Sequence, residues 1–176
     1  MIITLEASAE ERRSAKAPHE LFTVNTVIVH LFFSLAMIKL FNMGMNLAIG
    51  SSIALSFFII VYTFFRTKKS KQDDPYLVYL HWQMSLNRYK ILVSAYVFYI
   101  LITSLGLLIG DSGANSMDGT SITGSILTLL GTVPLFFSVL ISAVLGSGSM
   151  FNAGRGEEEQ KFAQKYRSEE RRVGKE

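Results

Sequence analysis

The sequence contains no cysteine. That excludes disulfides, thiolate catalysis, Cys-ligated zinc, iron–sulfur clusters and c-type haem attachment. Histidine is scarce: His19, His30 and His81 are the whole supply. Neither a G-x-x-x-x-G-K-[ST] nor an H-E-x-x-H pattern occurs, and Gly146-Ser147-Gly148-Ser149-Met150 lacks the final glycine of G-x-S-x-G. Nucleotide hydrolysis, zinc proteolysis and serine hydrolysis therefore lack their motifs. The expectation is a chain with no catalytic set, no metal site and no cofactor, and not an enzyme.

What is abundant is hydrophobic side chain, 49% of 176 residues, gathered in runs rather than spread at helix or strand period. Four runs reach the roughly 20 residues that a bilayer core requires. They are read as spans over 21–41, 45–65, 89–110 and 122–145. The expected fold class is all-α: a four-helix transmembrane bundle of two helical hairpins, with a short interfacial helix before the third span. The membrane domain then covers 21–146. It is preceded by a polar arm, 1–20, and followed by a flexible tail, 147–166, jointed at Gly146, Gly148, Gly154 and Gly156.

Charge sets the expected orientation. The loop 66–88 and its edge carry Arg66, Lys68, Lys69, Lys71, Arg88 and Lys90. The arm adds Arg12, Arg13 and Lys16, and the tail Arg155, Lys161 and Lys165; only Lys39 falls on the other side. By the positive-inside rule both termini and the central loop are cytoplasmic. A bacterial inner membrane is the expected location. The same basic residues, with Trp82, are read as lipid-headgroup contacts. Their place at the membrane edge argues against nucleic-acid binding.

Local signals refine the elements. Ser8 and Glu11 have capping-box spacing and predict a short helix that Pro18 ends. Asp74 and Pro75 read as N-cap and first residue of the next helix. Glu157 and Lys161 suit one helix face in the tail. Residues 111–121, with Asp111, Asn115 and Asp118, read as an ordinary external turn, their spacing being wrong for a calcium loop.

Arg167 to Glu176, RSEERRVGKE, resembles residue for residue the translation of a common sequencing-adapter oligonucleotide. These residues, 167–176, are read as an assembly artefact. On that reading the natural chain continues differently beyond Tyr166.

Two polar patterns lie inside the apolar runs. Thr26, His30 and Ser34 are spaced by four and share a face that must point away from lipid. The residue types suit hydrogen bonding between helices. His30 is a weak candidate for haem or quinone, because no second axial ligand lies at its depth. Gly44, Ala48, Ser52 and Ser56 form a small-residue stripe, and Gly131 with Pro134 a second packing site.

The preferred expectation is a non-catalytic accessory or assembly subunit of a membrane complex, with the bilayer and either a membrane protein or a second copy as partner. A small oligomeric transporter or channel is the first alternative. A haem- or quinone-binding redox subunit is the second.

Overall fold

The computed structural model describes residues 1–110 and 122–173 of the chain. The expected turn at 111–121 lies outside them. The fold is helical: α1 (Ala9–Lys39), α2 (Met45–Asp73), α3 (Tyr76–Gly110), α4 (Ile122–Arg155) and a terminal α5 (Gln160–Val173). Two three-residue strands accompany them, β1 (Ile2–Thr4) and β2 (Glu157–Glu159).

The first four helices are each long and apolar enough to cross a membrane, with mean hydropathy of 2.0 to 2.2 over their most apolar stretches. Only 22% to 28% of each such stretch is buried by the chain itself. The remaining apolar surface, including Phe57, Phe58, Leu107, Leu108, Phe137 and Val144, faces outward. In water that surface would be a severe liability. The four helices fit a multi-pass membrane protein.

Sharp turns join α1 to α2 and α2 to α3. Between α1 and α2, Asn42 takes a left-handed φ of 52°, which asparagine tolerates better than most residues. Between α2 and α3 only Asp74 and Pro75 intervene. The packing is uneven. Helices α1, α3 and α4 contact one another, while α2 lies outside, against α1 and α3. The central cluster includes Phe22, Tyr89, Leu92, Tyr96, Tyr99, Leu135 and Val139.

Several local expectations are corrected. The capping box forms: the Ser8 amide donates to Glu11 Oε2 at 2.6 Å and the Glu11 amide to Ser8 Oγ at 3.1 Å. The helix it starts does not stop at Pro18 but runs on to Lys39. A proline costs one backbone hydrogen bond, and here the flanking turns are held by buried Ala15, His19 and Phe22. No separate interfacial helix precedes the third span, because α3 is continuous from Tyr76. Asp74 is the C-cap of α2, and its carboxylate pairs with Arg66 of α2 at 2.7 Å.

The expected flexible joint at 146–149 is helical, inside α4. Two glycines of α4 mark close approaches. A Cβ at Gly146 would lie 2.9 Å from the Phe22 ring, and one at Gly154 2.6 Å from the Lys16 chain. Gly156 does end the helix, at φ 69°, the left-handed geometry that glycine supplies after a helix C-terminus. Glu157 then enters β2 rather than a helix, and pairs with Arg155 at 3.1 Å.

The polar ends of the chain are folded together. β1 and β2 pair antiparallel, with Ile3 opposite Glu158. The start of α5 packs on the start of α3: the Tyr76 hydroxyl donates to the Ala163 carbonyl at 2.6 Å and Asn87 Nδ2 to the Tyr166 hydroxyl at 3.0 Å. Both terminal segments and the α2–α3 turn thus share one end of the molecule, the loop end.

Candidate functional site

The interior of the apolar zone holds a ring of polar groups. It begins where α1 widens into a π-helix over Val24–Phe33. A π turn bonds i to i+5 and often marks a functional site. Here it brings Asn25 and His30 into line: His30 Nδ1 is 2.8 Å from the Asn25 carbonyl. A carbonyl only accepts, so Nδ1 carries the hydrogen and, in the neutral ring, Nε2 is the acceptor. Tyr96 of α3 stands 2.7 Å from Nε2 and must donate its hydroxyl hydrogen there. Ser56 of α2, 2.7 Å from the Tyr96 oxygen, then donates to it. Asn25 Nδ2 donates to Ser56 at 2.8 Å and completes the circuit. Four groups from three helices bond in sequence, each with a defined direction, while Asn25 Oδ1 has no partner among the described residues.

The predicted stripe is placed as follows. His30 joins the ring. Ser34 bonds Ser52 across α1 and α2 at 2.6 Å. Thr26 is buried but turns back to the Phe22 carbonyl at 3.0 Å. Asn25 and Tyr96 were not in that stripe. Spacing by four misses Asn25 because the local winding is wider than an α-helix.

In the small-residue stripe, Ala48, Ser52 and Ser56 are buried within the chain. Gly44 has open space around it, and Pro134 is exposed on α4. Gly131 abuts Tyr99, which its missing Cβ admits.

Among the expected headgroup contacts, Lys68, Lys69, Lys71 and Lys90 are exposed. Two point inward instead. Trp82 is 5% exposed, packed with Leu77, Val78 and Ala15, and stacked on by Arg66 at 5.2 Å. Arg88 donates to the Leu145 carbonyl and the Ser149 hydroxyl of α4. An arginine at the edge of an apolar zone gains more from fixed carbonyl and hydroxyl acceptors than from mobile ones.

A cleft of about 230 Å³ opens beside the ring, lined by His30, Ser34, Ser52 and Thr132 among apolar side chains such as Leu35 and Phe136. Its protons are already committed. Ser52 donates to the Ala48 carbonyl at 3.1 Å, which leaves Ser34 to donate to Ser52. Thr132 donates to the Thr128 carbonyl at 2.8 Å. The cleft can accept a hydrogen bond but has none of these donors to give a carbonyl ligand. Both His30 nitrogens are likewise in use.

A second polar cluster sits at the loop end, outside the apolar spans. His19 Nε2 of α1 is 2.9 Å from His81 Nδ1 of α3, and His81 Nδ1 is 3.7 Å from Glu158 Oε2 of β2. The two rings are 0% exposed and Glu158 is 2%. Ser85 donates to the Pro18 carbonyl beside them at 3.0 Å. Burial, with Arg88 opposing it, pushes the Glu158 carboxyl up to about 7. Burial and then the Arg88 charge bring His81 down to about 4, and burial with His81 lowers His19 further. Neutral forms are favoured throughout, as expected when charge is taken out of water. Among the described residues no group of three His, Cys, Asp or Glu is arranged to hold a metal ion.

No family model, curated protein or solved structure matches this chain.

Proposed function

We propose that the protein is a non-catalytic accessory or assembly subunit of a membrane complex, with its loop end cytoplasmic. One observation carries the reading. Asn25 Nδ2, Ser56, Tyr96 and His30 hydrogen-bond in sequence and close on the Asn25 carbonyl, so both His30 nitrogens are spent on fixing three helices together. A transporter needs polar groups free to exchange partners with a solute or with water. A haem carrier needs a free imidazole nitrogen. The ring around His30 is committed on both counts.

The loop end supports the same reading. Arm, loop and tail are not loose solvated segments but one folded platform, and it bears twelve of the basic residues before Arg167. On the positive-inside rule that platform lies in the cytoplasm. Exposed Lys68, Lys69 and Lys71 favour anionic lipid at its rim. Either a different membrane protein or a second copy of the chain is the partner.

Purification from native membranes in mild detergent tests the proposal. A stoichiometric co-purifying membrane protein, or a defined homo-oligomer, is expected. A monomer free of any companion, from several mild detergents, contradicts it.

A further inference from the structure

Glu158 is a buried carboxyl group in the tail strand. It is 2% exposed on β2, and its Oε1 accepts from the Glu159 amide at 2.7 Å. Its Oε2 has no hydrogen-bond partner among the described residues. The ionised form would be a buried carboxylate without a bonded cation, a costly arrangement. Its neighbour His81 is tied to His19, and at 2.9 Å one of the facing nitrogens carries a hydrogen and the other does not. The outer nitrogens, His19 Nδ1 and His81 Nε2, also lack partners among the described residues.

The three groups therefore share one question, how many protons they hold together. With the carboxyl protonated and both rings neutral, the net charge is zero. Moving that proton to a ring keeps it zero. Removing it leaves a buried negative charge. Adding one brings a positive charge close to Arg88. We propose that Glu158, His81 and His19 form a proton-operated latch, which holds the tail strand on β1 and α3 while their net charge is zero and releases it when a proton is lost or added.

Among the described residues no hydrogen bond or ion pair joins Glu158 to an Arg or Lys side chain. Arg88 of α3 is occupied by Leu145 and Ser149 of α4. Glu157 is paired with Arg155, and Glu159 is exposed. From α1, Arg12 and Lys16 lie against Gly156 and Gly154. Strand β1 has no titratable side chain, and the Met1 amino group stands one residue before it. Lys161 of α5 is exposed.

The sign follows from linkage. A carboxyl raised on docking contributes stability that is lost as pH rises through about 7. A histidine lowered on docking contributes stability that is lost as pH falls from its free value toward about 4. Docking is strongest between these limits, near pH ~6. Release would uncover Tyr79 and Leu80 of α3, which now pack against Ala163 and Tyr166. The device does not depend on whether the protein has a partner.

The absence of native cysteine permits a direct test. Nitroxide labels at Ile2→Cys and Glu159→Cys, which are cross-strand partners, report strand separation by pulsed electron paramagnetic resonance on the full chain in lipid nanodiscs. One short distance is expected near pH ~6, with longer distances appearing above pH ~8 and below pH ~4. In a Glu158→Gln background, which keeps the shape and cannot ionise, the short distance should persist at high pH. A distance that does not change with pH in the native-like chain overturns the proposal. So does alkaline opening that Glu158→Gln leaves in place.

Discussion

Tyr96 is the residue on which the buried ring turns, since it alone both donates to His30 and accepts from Ser56. Tyr96→Phe keeps the aromatic packing but leaves His30 Nε2 without a donor and Ser56 without an acceptor. A buried unsatisfied polar group costs about 1–3 kcal/mol, so a loss of that order is expected in reversible unfolding measured in detergent. A loss no larger than that of Tyr62→Phe, an exposed control, would mean the ring contributes nothing. Part of this ring was legible in the chain. His30 stands nine residues after Leu21, Ser56 nine before Phe65 and Tyr96 seven after Tyr89. At about 1.5 Å per residue these three lie at nearly one depth. Asn25 was not legible, because its role needs the π turn. Nor was Glu158, since nothing in a polar run of Glu157, Glu158 and Glu159 says which one a distant strand will bury.

Among the elements, α4 shows most clearly how a composition can mislead. Gly146, Gly148 and Gly154 with intervening serines look like a linker, yet α4 continues through them as a helix. Glycine costs a helix only about 1 kcal/mol, and the close approach of α1 outweighs it. Phe22 fills the space over Gly146, and Lys16 that over Gly154, while Gly148 faces open space. The two kinds of glycine should therefore behave differently. Gly146→Val forces side-chain and backbone shifts against Phe22, with an expected loss of about 1–3 kcal/mol or more. Gly148→Ala should be neutral or stabilising through helix propensity. Thermal unfolding of the two variants side by side checks this, and equal effects would show that α1 does not seat there. The long apolar runs, by contrast, announced α1 to α4 plainly. Their ends did not, because each helix extends past the apolar stretch into polar sequence that only tertiary contact makes helical.

For the whole molecule, one physical division governs the rest. Helices α1, α3 and α4 close around an aromatic core, α2 lies alongside and is tied to α1 and α3 through the polar ring, and most of the apolar surface is left outward. The polar remainder gathers at one end, where β1, β2 and α5 bind the termini to α3. Lipid is the medium that makes the outward surface stable, as no water-exposed arrangement of so many Phe, Leu and Ile side chains would be. Washing isolated membranes with alkaline carbonate tests this claim most directly, since it strips proteins held only by charge or by peripheral contact. The full chain is expected to remain in the pellet and to leave it only with detergent. Recovery of folded protein in the carbonate supernatant would contradict the account.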